Sequence, residues 1–375
     1  MSKTLAEHLG YLATPHRLDL YRAAVNKLVR PGDIVLDAGC GTGVLGLLCL
    51  QAGAGHVYAV DSSAALEVAR EALTRSGWAP KVEFIRGSSF QVDLPQHVDV
   101  VICDHVGYFG FDYGLIALLA DARRRFLKPG GRLIPSRLKL HVGAVESPKC
   151  RELAEAWAAP AIPAEYHWVR QYGVNTKHAV SLQADELLTA SAELGCIDLA
   201  ADNPDFLSWS AQLTLQRDGV VHGLGGWFEC ELAEDVWMGN SPLSDRAIGR
   251  SQVFLAIDEA LPVKAGDRLD VTVMARPGDH VIAWTVAHPA TGRRFSHSTW
   301  EGDLLEREQL ARSHPEHVPQ VNRTAHARNL VLGYCDGQRS VMQVQAAVLR
   351  DHPALFPSRE EIARFVMTVL SRDTN

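Results

Sequence analysis

The sequence has no apolar run of the roughly 18 to 20 residues needed to span a bilayer, so no membrane-spanning helix is expected. Met1–Gly10 lacks the hydrophobic centre of a secretory signal, which points to a cytoplasmic location. Cysteine is sparse: Cys40, Cys49, Cys103, Cys150, Cys196, Cys230 and Cys335 form no C-x-x-C pair, and their number is odd. That excludes a disulfide framework and a zinc site with the usual ligand spacing, and fits reduced thiols. Positive charge is not in excess either; the net charge of −7 argues against general affinity for a nucleic-acid backbone. Tandem repeats and low-complexity tracts are missing. What remains, 47% apolar and 22% charged residues, is the composition of a globular protein. At 375 residues the chain exceeds one ordinary core, and two or three domains are expected.

Glycine is present in a telling place. Ile34–Asp61 reads as a buried strand, a glycine-rich turn, a helix and a second buried strand ending in an acid. Gly39, Gly41 and Gly43 let the backbone turn sharply and approach a ligand closely. Asp61 falls where a ribose hydroxyl pair sits in a doubly wound sheet. Gly41, Gly43 and Gly46 satisfy the dinucleotide pattern G-x-G-x-x-G, but Asp37 just ahead of them would repel a pyrophosphate. S-adenosylmethionine has no phosphate and carries a sulfonium and an ammonium that a carboxylate attracts. It is the expected cofactor.

Three textures follow one another. Strand and helix patterns alternate through residues 1–146: Ala64–Ser76 helix, Val82–Arg86 strand, Val98–Cys103 strand, Leu115–Phe126 helix, and a Pro129-Gly130-Gly131 turn before Arg132–Ile134. That predicts a Rossmann-like α/β domain with ligands at the strand carboxyl ends. Residues 147–305 carry strand patterns (Trp209–Leu215, Val220–Leu232, Ser251–Ile257, Arg268–Ala275, His280–Val286) and predict an antiparallel β-barrel or sandwich. Glu165–Leu188 is a candidate helical arm, and Gly302–Gln320 a solvated linker. In 306–375, Ser340–His352 and Ser358–Leu370 predict a small helical C-terminal domain, with Ser358 as a helix cap.

Beyond the glycine loop, Arg17-Leu-Asp-Leu-Tyr21-Arg22, CDHVGYFGFDYG (Cys103–Gly114), RRRFLKPGGRLIPSRLKLHVGAVE (Arg123–Glu146), HWVRQYGVN (His167–Asn175) and HGLGGWFECEL (His222–Leu232) occur in order. Together the first two regions resemble the protein arginine methyltransferases. The resemblance implies that Arg17 grips the cofactor carboxylate and that the arm near 160–190 forms a homodimer. Asp37, Gly39, Gly41, Asp61, Ser62, Ser89 and Phe90 complete the expected cofactor contacts; Phe90 stands where the family has an acid for the adenine amine.

The family holds a guanidinium between two glutamates of the substrate loop. Here those positions are Asp104 and Tyr113, with Asp112 one place early, and the family's Thr-His-Trp is replaced by Ile248-Gly249-Arg250. A guanidinium is a charged fork best matched by paired carboxylates. The expectation is therefore a methyltransferase acting on a small molecule or modified peptide in biosynthesis, with a neutral or weakly cationic acceptor. Asp104, His105, Tyr108 and Tyr113 are the candidate catalytic residues, with His105 or Asp104 removing a proton where needed. Arginine methylation through an atypical acidic pair is the alternative, and a non-catalytic scaffold a second one. His222 reads as a barrel core residue, and Arg250 as an anionic-substrate contact or a solvated turn. The tail Leu332–Leu349 resembles a peptide-recognition domain of ribosomal-peptide maturation, which would bind a leader peptide; a small helical cap is the other reading. No metal is implied.

Overall fold

In the computed structural model, which describes residues 3–374, the first part of the chain forms a parallel sheet. Met1, Ser2 and Asn375 lie outside the described residues, so the N-terminal stretch read above is described from its third residue only. Helices α1 (Lys3–Ala13) and α2 (Arg17–Leu28) lead into β1 (Ile34–Ala38), α3 (Val44–Gln51), β2 (His56–Asp61), α4 (Ala65–Arg75), β3 (Val82–Arg86), β4 (Val98–Ile102), α5 (Leu115–Arg125) and β5 (Leu127–Ile134). Their order is β3-β2-β1-β4-β5. Val35, Leu36, Val57, Val60, Val100 and Val101 are all buried, as a sheet covered on both faces requires. The order reverses between β1 and β4, and at such a switch point the loops beyond the strands part and leave a crevice.

The Pro129-Gly130-Gly131 segment is a bulge and not the boundary expected. Pairing with β4 jumps from Val98–Leu127 to Val100–Arg132, so the excursion is absorbed within β5. This strand lies at the sheet edge, where a proline without an N–H is tolerated.

The chain continues through β6 (Arg137–Val145), α6 (Pro148–Ala154), α7 (Arg170–Val174), β7 (Lys177–Val180), β8 (Ala192–Asp198), β9 (Leu207–Thr214), β10 (Gly219–Ala233), β11 (Val236–Gly239), β12 (Gln252–Val263), β13 (Arg268–Arg276), β14 (Val281–His288) and β15 (Arg293–Ser298). These form one antiparallel sheet, β7-β12-β10-β6-β8 with β11 on β10, and a second, β15-β14-β13-β9. Burial alternates along β14, as expected for a strand with one face inward. The glycines of His222–Gly226 have a packing reason: a Cβ on Gly226 would lie 2.7 Å from the Phe109 ring. The 103–114 loop therefore seats Phe109 directly on β10.

The candidate arm is only partly helical. A 3₁₀ turn at Ala164–Val169 and α7 are followed by β7, which pairs with Gln252–Leu255 of β12. The open edge of β12 supplies the backbone partners that a helix over 177–180 would have had to make for itself. His222 is half-buried, and its Nδ1 accepts from the Ser147 N–H, so it is a structural ligand and not a core residue.

Contacts divide the chain into residues 1–303 and 304–375. The second unit contains α8 (Arg307–Ser313), α9 (Arg323–Leu332), α10 (Val341–Asp351) and α11 (Arg359–Asp373). Val331, Val344, Val348, Ile362 and Val366 form its core. Ser340 and Ser358 cap α10 and α11 by accepting from the Gln343 and Glu361 N–H groups. The linker stretch includes the wholly exposed α8, with Glu308 and Arg312 one turn apart on its surface.

Candidate active site

Two cavities of 480 and 590 Å³ lie beyond the carboxyl ends of β1, β2 and β4. They share Gly39, Asp61, His105, Tyr113 and His280, and so are two halves of one cleft. One half reaches Ser62, Ser89 and Phe90; the other reaches Arg17, Asp104, Asp112 and helix α1.

The glycine turn is shaped by its acids. Asp61 accepts from the Gly41 N–H at 2.7 Å through Oδ2 and from the Ser63 N–H at 2.7 Å through Oδ1. Gly39 and Gly41 have φ of +70° and +53°, and side chains there would strike His105 and His8. Asp37 is fully buried beneath the turn. Its Oδ2 accepts from the Gly46 N–H at the start of α3 at 2.7 Å, but its Oδ1 has no partner. Burial, reinforced by Asp61, pushes its pKa up to about 7 despite that bond. A buried carboxylate oxygen with nothing to accept from is costly, and a cationic ligand group would satisfy it. The ammonium of S-adenosylmethionine would donate to that oxygen, and the open glycine turn fits the close approach of a ligand.

The other half is dominated by ion pairs. Asp104 follows β4, with its side chain 8% exposed. Its Oδ2 receives Arg17 Nε at 2.5 Å and Arg250 Nη2 at 3.2 Å, while Oδ1 has no partner. Burial opposes its charge, yet Arg250 and Arg17 overcome this and hold its carboxyl below the usual range. Arg250 also donates to the Val106 carbonyl. It is thus neither a solvated turn residue nor free for an anionic substrate, because β10 and β12 bring it under the 103–114 loop. Asp112 is buried in that loop, accepting from the Phe109 N–H at 3.0 Å and pairing with Lys177 of β7 at 3.0 Å. His105 packs over Gly39 with Nδ1 3.3 Å from the Cys103 sulfur, and burial lowers its pKa.

Of the residues singled out from the sequence, Arg17, Gly39, Gly41, Asp61, Ser62, Ser89, Phe90, Asp104, His105 and Tyr113 line the cleft. Asp37 lies beneath it. Tyr108 stands behind Tyr113, with ring centroids 5.4 Å apart, and its carbonyl accepts from Asn240. Sequence reasoning missed Glu7, His8 and Tyr11 of α1 and His280 of the β13–β14 turn, all of which face the cleft. Leu5, Leu9 and Leu12, at helical spacing, were a legible signal for α1. Nothing near His280 in sequence marked it.

A methyltransferase-domain family model matches residues 35–131. Protein arginine N-methyltransferase 1 of Schizosaccharomyces pombe is 28% identical over 267 residues, covering 66% of this chain and 74% of that protein. Protein arginine N-methyltransferase 1.1 of Arabidopsis thaliana is 27% identical over 259 residues, 67% of this chain and 66% of its own. Among solved structures, the Trypanosoma brucei PRMT1 enzyme–prozyme heterotetrameric complex with AdoHcy superposes with a TM-score of 0.69 at 22% identity, covering 78% of this chain and 96% of that one. Arabidopsis thaliana protein arginine methyltransferase 10 gives 0.69 at 20%, covering 79% and 98%.

Proposed function

We propose that this chain, an S-adenosylmethionine-dependent methyltransferase of arginine-methyltransferase-like class I architecture, methylates an arginine nitrogen in a peptide or protein. The similarity to arginine methyltransferases favours that acceptor over the small-molecule acceptor expected from the loop sequence. One structural observation carries it: the unpartnered Oδ1 of buried Asp104 in the cleft. A guanidinium N–H donated to that oxygen would satisfy it with a charge-assisted bond.

S-adenosylmethionine supplies the electrophilic methyl group. Asp37 and Arg17 would hold its amino-acid end, and Asp61 its ribose. Arg17 and Arg250 keep Asp104 ionised and in one orientation, so the acceptor nitrogen is positioned without reorganisation. His105, kept neutral by burial, offers a ring nitrogen to take the departing proton.

A second reading rests on charge. Asp104 already faces two arginines and Asp112 already faces Lys177, so the loop itself leaves no net negative charge for a cation. That favours a neutral acceptor against Tyr113. Radiolabelled methyl transfer to a Gly-Arg-rich peptide, followed by amino-acid analysis, separates the two. Methylarginine is expected, and its absence at high enzyme concentration would leave the neutral acceptor standing.

The arm is read as a homodimer contact. Tyr166 and Trp168 are 54% and 60% exposed, an apolar pair that a monomer would leave in water. Light scattering at micromolar protein should give a dimer mass; a monomer mass would count against this assignment.

A further inference from the structure

We propose that Glu7 of α1 is the second acidic contact for the acceptor, standing in for the carboxylate that the loop lacks at Tyr113; this rests on the arginine reading above. Asp112, the nearest acid in sequence, is committed to Lys177 and to the loop backbone. Glu7 lines the same 480 Å³ cavity as Asp104 and Tyr113. Its Oε1 accepts from the Tyr11 hydroxyl, at 3.3 Å.

Tyr11 ties the two acids together. Burial raises its pKa first; Glu7 and, less strongly, Asp104 add to that rise while Arg250 opposes it, so its hydroxyl lies in the field of all three. Arg17 also donates from Nη1 to the Tyr11 carbonyl at 3.2 Å, anchoring α1 to the Asp104 network. Asp104, more than nine-tenths buried with Oδ1 unpartnered, is the independent sign that a donor belongs here. A guanidinium carries five N–H donors in a planar fork. One edge would donate to Asp104 while another would face Glu7 across the cavity that Tyr11 and Tyr113 also line. The family pattern of two acids in one loop becomes one acid in the loop and one on a helix.

The test is Glu7→Gln in the full chain, which keeps the side-chain length and the bond from Tyr11 but removes the charge. Methyl transfer to a Gly-Arg-rich peptide and calorimetric binding of AdoHcy are measured in parallel. KM for the peptide should rise on the order of tenfold, with kcat changing less and AdoHcy affinity unaltered. Glu7→Asp should recover part of the loss. An active wild type whose KM is unmoved by Glu7→Gln overturns the role of Glu7 while leaving arginine methylation intact. An equal loss of AdoHcy affinity would make Glu7 part of the cofactor cover and overturn it as well. A wild type that yields no methylarginine takes down the arginine reading and the role of Glu7 with it.

Discussion

The glycine turn and its acids, on which the cofactor half depends, come from one contiguous stretch, Asp37 to Asp61, whereas the ion pairs of the acceptor half are assembled from α2, the 103–114 loop, β7 and Arg250 ahead of β12. In the first half the working groups are backbone N–H donors and carboxylates no more than 20 residues apart in the chain. In the second they are side-chain ion pairs between segments far apart in the chain: 87 residues for Arg17–Asp104, 146 for Arg250–Asp104 and 65 for Lys177–Asp112. The difference teaches where divergence is tolerated. A contiguous motif must keep its glycines and acids together to turn at all, while a distributed site can exchange one member if another element supplies the charge.

The largest expected effect breaks the acceptor half. Asp104→Ala leaves Arg17 and Arg250 buried without their shared carboxylate, and losing one member of a buried ion pair costs about 3–5 kcal/mol. The urea midpoint should fall accordingly and methyl transfer should cease. A stability equal to wild type would mean that the ion pairs do not organise this half.

Asp61→Ala strikes the cofactor half. Two charge-assisted bonds to the ligand are lost, about 2–4 kcal/mol in AdoHcy affinity by calorimetry, and the Gly41 and Ser63 N–H groups lose their acceptor. Unchanged affinity would show that the acid serves the turn alone.

The two halves should also separate by pH. Burial raises Asp37 to about 7, so the cofactor-free protein holds a proton there that an unfolded chain releases near pH 4. That group's contribution to stability is present at acid pH and is lost as pH rises through 7. Binding an ammonium requires the ionised form. AdoHcy affinity should therefore weaken as pH falls below 7, approaching about tenfold per unit. Asp104 is shifted the other way, so acceptor orientation should not titrate in this window. Flat AdoHcy binding from pH 5.5 to 7.5 would contradict the assignment of Asp37.

The smallest effect sharpens the border. Tyr113 lines both halves, and Tyr113→Phe removes only a hydroxyl, worth about 1 kcal/mol or less. A rise in acceptor KM with AdoHcy affinity unchanged assigns that hydroxyl to the acceptor; equal losses in both would show that the halves are not separable there.

The sequence by itself determined the parallel sheet, the glycine turn, its two acids and the Ser358 helix cap. Each is set by a few neighbouring residues: apolar runs that fit a buried strand, glycines at positive φ, and a serine one turn ahead of the N–H it caps. It also located Asp104 and Tyr113 as departures in an otherwise familiar loop. Only the tertiary structure decided what those departures mean. That Asp112 belongs to Lys177, that Arg250 lies under Asp104, and that Glu7 faces the same cavity follow from β7, β12 and α1 converging on one loop. Charge pairing acts through space at about 3 Å and carries no sequence periodicity, so it becomes legible only once packing has brought its members together.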